Sequence, residues 1–188
     1  MNSFASGMHA AVLLARGRAE GLLLLNRRPD DAMALAARSF WAMALAIPGF
    51  VALHLIDWAA SGDGAWNGRD FAADLLGYII GWLAFALISH RIATVIGRAA
   101  LWPRFITAWN WCNVLQYFML VVGSLPALLG LPDWLVQTCW LVATGWALWL
   151  EYFTTRVALA LPRGAAIGMV LVDVVLGVAL ALGMAGVS

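Results

Sequence analysis

Lysine is absent from this chain, and all eleven of its basic side chains are arginine. Charge of either sign is scarce, at 11% of residues, and the formal net charge is +1. A nucleic-acid partner needs a basic face, so this balance excludes one. Cysteine is limited to Cys112 and Cys139, too few for a disulfide framework. On the spans assigned below they sit on different helices, roughly 10 Å apart in depth at ~1.5 Å rise per residue, beyond disulfide reach. Both read as packing residues. The three histidines, His9, His54 and His90, are far apart in sequence. There is no paired-His metal motif, no nucleophile elbow and no Gly-rich phosphate loop. The chain therefore reads as non-enzymatic, with no catalytic residue, no metal and no cofactor.

What the chain has in excess is apolar character. It is 64% hydrophobic, with a mean hydropathy of +0.87, where a soluble domain has about 45–50% apolar residues. The expectation is an all-α polytopic membrane protein with five transmembrane helices, over residues 39–58, 71–89, 105–125, 134–153 and 165–185. Each stretch is close to the ~20 residues that cross ~30 Å of hydrocarbon. Pro48-Gly49 predicts a kink in the first.

Residues 1–38 precede the spans. Arg16, Arg18 and Glu20 interrupt their apolar stretches, so they lack the unbroken core of a signal peptide. They predict a helix lying in the interface, with residues 22–25 dipping into lipid. Asp30 or Asp31 is placed to cap a short helix that runs into the first span.

Orientation follows from the arginines. Arg16, Arg18, Arg27, Arg28, Arg38, Arg91, Arg98, Arg104, Arg156 and Arg163 fall on one side of the five spans. Arg69 alone falls on the other, among Asp57, Asp63, Asp70, Asp74 and Asp133. The positive-inside rule puts the N-terminus in the cytoplasm and the C-terminus outside. Of the eleven Trp, Trp41, Trp58, Trp66, Trp102, Trp134 and Trp149 are placed as interfacial anchors, while Trp140 and Trp146 are expected between helices.

The polar residues inside the spans are the candidates for function. Asn110, Asn113 and Tyr117 share one face of the third span, flanked by Gln116. Glu151 lies near the end of the fourth span, and Asp173 about eight residues into the fifth, roughly 12 Å deep. A carboxylate at that depth costs about 2.5–3.5 kcal/mol on insertion scales. Asn110, Asn113, Gln116, Glu151 and Asp173 thus form a polar slab in the cytoplasmic half, supported by His90, Arg91 and Arg156. Asp173 is expected to face the bundle, within hydrogen-bond reach, directly or through one water, of the third or fourth span, with Asn110, Asn113, Gln116 or an arginine of the connectors as candidates. Small residues recur every fourth position, with Gly77 and Gly81 on the second span and Gly177 and Ala181 on the fifth, as helix-packing ridges. His54, Asp57 and Asp74 read as solvated helix ends.

Two functional readings follow. The first is a scaffold or accessory subunit packed against other membrane proteins or copies of itself in the bilayer. The second is a small transporter or a lipid- or solute-binding protein that uses a cytoplasm-facing polar cavity. The five-span plan and the run Asp74-Leu75-Leu76-Gly77-Tyr78 resemble small bacterial inner-membrane proteins of the Yip type. That family carries Asp-Leu-x-Gly-Pro before its first span; here the Pro is replaced by Tyr78 and the run opens the second span. The resemblance implies a multi-pass protein of the bacterial inner (cytoplasmic) membrane and transfers no functional residue.

Overall fold

In hydrocarbon every backbone polar group must be satisfied within the protein, which leaves long apolar runs the helix as their solution. The computed structural model describes residues 3–25, 32–61 and 67–185, and among them it is all-helical. The helices are α1 (Ser3–Ala15), α2 (Gly21–Leu25), α3 (Ala32–Ser39), α4 (Trp41–Ser61), α5 (Gly68–Val95), α6 (Trp102–Leu128), α7 (Asp133–Ala158) and α8 (Arg163–Ala185). A 3₁₀ turn, Ala99–Leu101, leads into α6. Four stretches are long and apolar enough to cross a membrane: Ala32–Ala60, Gly68–Val95, Ala99–Leu128 and Arg163–Met184. At 26 residues α7 is equally long, but four Trp together with Gln137, Thr138 and Glu151 dilute its apolar character.

The ends of the helices carry local signals. Asn67 caps α5 by accepting from the Arg69 N–H at 3.0 Å, and its amide donates to Asp70 at 2.7 Å. Gly97 and Gly130 follow α5 and α6 in the left-handed region, at φ 71° and 63°, where the missing Cβ removes the steric cost. The same position after α7 is taken by Ala160, at φ 51°. Pro48 lies inside α4, which continues through it, and the helix is interrupted earlier, at Phe40, between α3 and α4.

At the centre stands α6, whose Phe105, Ile106 and Ala108 are fully buried. A Cβ on Gly49 of α4 would meet the Tyr117 Cβ at 3.0 Å, and one on Gly123 of α6 would meet the Ala143 Cβ of α7 at 2.5 Å. Glycine at both crossings lets backbones approach closely. The Phe85 ring of α5 stacks on Trp109 at 4.7 Å. Residue pairs that meet give the directions. Tyr78, Trp82 and Phe85 descend along Tyr117, Trp109 and Phe105, so α5 runs against α6. Gln116 with Ala147 and Arg104 with Ala158 set α7 against α6 as well. In turn α8 packs on α7 and α5.

The N-terminal helices differ from the interfacial expectation. α1 packs on α6 and α7, with Ala10, Ala11 and Leu14 fully buried. Gly7 lies so close under the Trp111 indole that any side chain there would overlap the ring. Leu22 and Leu25 are buried in the protein core rather than dipping into lipid, and only Leu23 points fully outward. Small residues make this close docking possible, so α1 extends the bundle. Trp140, expected between helices, is exposed, whereas Trp146 packs against the core. The capping role of Asp30 or Asp31 and the anchor Trp66 lie outside the described residues.

Candidate functional site: a cleft with a buried acid pair

The three amides of α6 share a stripe, but their neighbours give them different work. Asn110 is fully buried. It accepts from the Trp82 indole N–H at 2.7 Å and donates to the Ser39 hydroxyl at 2.7 Å, which in turn donates to the Ala36 carbonyl at 2.6 Å. This dry relay ties α3, α5 and α6 together. Gln116 donates across to the Ala147 carbonyl of α7 at 2.8 Å. The Asn113 amide turns back onto the Trp109 carbonyl of its own helix at 3.0 Å and lines a cavity. Asn110 and Gln116 are therefore interhelical links, and Asn113 alone of the three faces the cleft described next.

That cleft, about 380 Å³, lies between α4, α5, α6 and α8. Aromatic side chains form its walls: Phe50, Tyr78, Trp82, Trp109 and Tyr117. Asp173 of α8 lines it, and its carboxyl faces that of Glu151 on α7, beside which it lines a second cavity. Asp173 thus faces the fourth span through a second acid, not an arginine, with Asn113 and Gln116 on the same cavity. The single short turn between α7 and α8 explains why: Glu151 lies seven residues before the end of α7 and Asp173 ten after the start of α8, so an antiparallel hairpin brings them close in depth. A hydrogen bond between two carboxyl groups requires a proton on at least one. The pair shares this second cavity, of about 220 Å³, with Thr144 as well. Beside it the buried Trp109 indole N–H faces Glu151 without closing a hydrogen bond of ordinary length, and Glu151 Oε1 is likewise unpartnered.

The far end of the cleft is the His54–Asp74 pair. His54 Nδ1 lies 3.0 Å from the Phe50 carbonyl, an acceptor only, so Nδ1 carries a hydrogen. His54 Nε2 lies 3.2 Å from Asp74 Oδ2, and a further proton on one of the two closes that contact. Sequence reasoning placed His54, Asp57 and Asp74 together as solvated helix ends; which of them pair, here His54 and Asp74 across 20 residues, depends on how α4 and α5 cross. Asp57 stands apart and lines a different hollow with Ala60 and Trp140. The cleft consequently runs toward the α4–α5 connection and the aspartates, away from the arginine-rich end. This cleft does not open toward the arginines, and the hollow at that end, beside His90 and Trp102, has apolar walls.

The basic residues do not join the acids. His90 is exposed and packs edge-on against Trp102 at 4.8 Å, Arg91 is exposed and Arg156 half-buried. Arg104 instead reaches the Ala158 carbonyl with two nitrogens, Nε at 3.0 Å, and so holds the end of α7. The ridges also divide. A Cβ on Gly77 would meet Met184 Cγ at 3.4 Å and one on Gly81 would meet Leu180 Cδ1 at 3.2 Å, so α5 does face α8 there. Gly177 has nothing within 4 Å, and Gly177 and Ala181 are exposed. The small residues of α8 widen the cleft rather than packing a helix. Cys112 lies 3.4 Å from the Thr154 hydroxyl, and both cysteines are free. No group of three His, Cys, Asp or Glu able to hold a metal occurs among the described residues.

No family model, curated protein or solved structure matches the chain.

Proposed function

We propose that this is a five-span protein of the bacterial inner membrane that holds a small solute or lipid headgroup in the cleft, as a non-enzymatic binding or transport protein. The observation that carries the reading is the acid pair, with Asp173 on the cleft and facing the buried Glu151. Groups this costly in hydrocarbon mark ion and solute pathways more often than lipid-facing surface. For α7 as the fifth span, the support is its length of 26 residues and its place between α6 and α8. The arginine distribution supports a cytoplasmic N-terminus and an external C-terminus, which turns the mouth at His54–Asp74 outward. Native mass spectrometry from mild detergent tests the reading: a retained small molecule or lipid supports it.

A second reading, the scaffold or accessory subunit, draws support from α8. Leu171, Val175, Val178 and Leu182 point outward, and Gly164 and Gly168 have open space beside them, room for a partner helix or a second copy. A stoichiometric protein partner in the same spectra supports this reading instead. A Yip-type relationship remains a proposal on Asp74, Leu75, Leu76 and Gly77, of which Asp74 and Gly77 line the cleft.

A further inference from the structure

The cleft holds acid groups, and no arginine among the described residues lines it. The second cavity on the pair is without one too, and the lining imidazole, His54, is engaged by Asp74. Tyr117 from α6 lines both cavities with Asp173; the other ionisable groups of the cleft are Tyr78 and Asp74 from α5 and His54 from α4, the last two at its far end. Glu151 Oε1 and Trp109 Nε1 are buried beside it and unpartnered. A buried charge without a counter-charge is costly, so the pair must be neutralised by protons or by something that enters. The remaining walls are aromatic faces, which attract cations through their quadrupoles. A bare metal ion would leave most of about 380 Å³ unfilled.

We propose that the cleft takes a small organic monocation of the ammonium type in exchange for one proton of the Glu151–Asp173 pair. This rests on the cleft being a binding site. Empty, the pair is neutral with a proton on each acid. When the cation enters, one carboxyl O–H bond breaks, that proton leaves to water, and the remaining proton is shared between Glu151 and Asp173. The charge of the site is the same before and after. Gly177 and Ala181 leave the cleft open beside α8, so the ammonium group can belong to a free amine or to a lipid headgroup.

The test is isothermal titration of the full chain in detergent with butylammonium and with the neutral alcohol 1-pentanol, of similar length, in buffers of different ionisation enthalpy. Saturable butylammonium binding with one proton released is expected, weakening about tenfold for each unit the pH falls below neutrality. The pentanol should not compete. Glu151→Gln with Asp173→Asn should abolish both binding and release, and the proton count on the unmodified chain decides the matter should that variant misfold. Competition by phosphatidylethanolamine but not phosphatidylglycerol supports a headgroup as the source, and indifference to both a free amine. Binding without proton release, or equal binding of pentanol, overturns the exchange while leaving the cleft a binding site. No binding of either probe, together with no ligand in native spectra, overturns the binding reading itself.

Discussion

Asn110→Ala removes the middle of the relay Trp82–Asn110–Ser39, and its cost can be worked from the geometry. Two hydrogen bonds of 2.7 Å are lost at a fully buried position. Interhelical hydrogen bonds in membranes average ~0.6 kcal/mol each. The larger effect is on the Trp82 N–H, which is left without an acceptor where water does not reach, at about 1–3 kcal/mol. Ser39 is spared, because its hydroxyl still donates to Ala36. The sum is about 2–4 kcal/mol, against about 0.5 kcal/mol or less for Asn113→Ala, whose amide bonds only its own helix. Reversible unfolding in mixed micelles gives both values. A double-mutant cycle with Trp82→Phe isolates the pair, since Phe keeps the ring without the N–H. Equal costs for Asn110→Ala and Asn113→Ala, or no coupling to Trp82, would refute the relay.

Three further outcomes follow from single contacts. Gly123→Val should destabilise by about 1–3 kcal/mol through overpacking, because even a Cβ sits 2.5 Å from Ala143 and 3.2 Å from the Cys139 carbonyl; Gly177→Ala, with nothing within 4 Å, should be tolerated, and unfolding midpoints compare them. Ala160→Gly should stabilise by about 0.5–1 kcal/mol, since Ala160 sits at φ 51° where an L side chain costs ~1–2 kcal/mol and the flexibility glycine adds to the unfolded chain offsets part of the gain. A reporter fused after Ser188 should be active only in its periplasmic form, and one fused after Arg98 only in its cytoplasmic form; the opposite pattern would invert the orientation.

Helicity and four of the five expected membrane-spanning stretches were legible from period and hydropathy, and residue counts about the α7–α8 turn placed Glu151 and Asp173 in one slab. Partner choice was not legible. Asn110, Asn113 and Gln116 share a stripe, yet their roles depend on which neighbour carries a donor, and nothing local to α6 reveals Trp82 or the Ala147 carbonyl. The Gly123-x-x-x-Ala127 spacing on α6 was a readable signal for the α7 crossing and deserved equal weight with the ridges on α5 and α8. Gly177 misled because small residues admit a helix or line a hollow with the same spacing. The docking of α1 was not legible because it depends on Gly7 meeting the Trp111 ring, a tertiary match without a periodic signature.

The most direct measurement is the side from which position 173 can be reached. Asp173→Cys, in a chain whose Cys112 and Cys139 are replaced by Ala, can be exposed to a small membrane-impermeant thiol reagent in intact cells and in inverted vesicles. Because the cleft joins Asp173 to the His54–Asp74 mouth, labelling is expected from the periplasmic face alone, with a bulky substituent at Ala181 slowing it. Labelling from the cytoplasmic face alone would contradict the direction of the cleft in the membrane, and no labelling from either face would contradict the cleft.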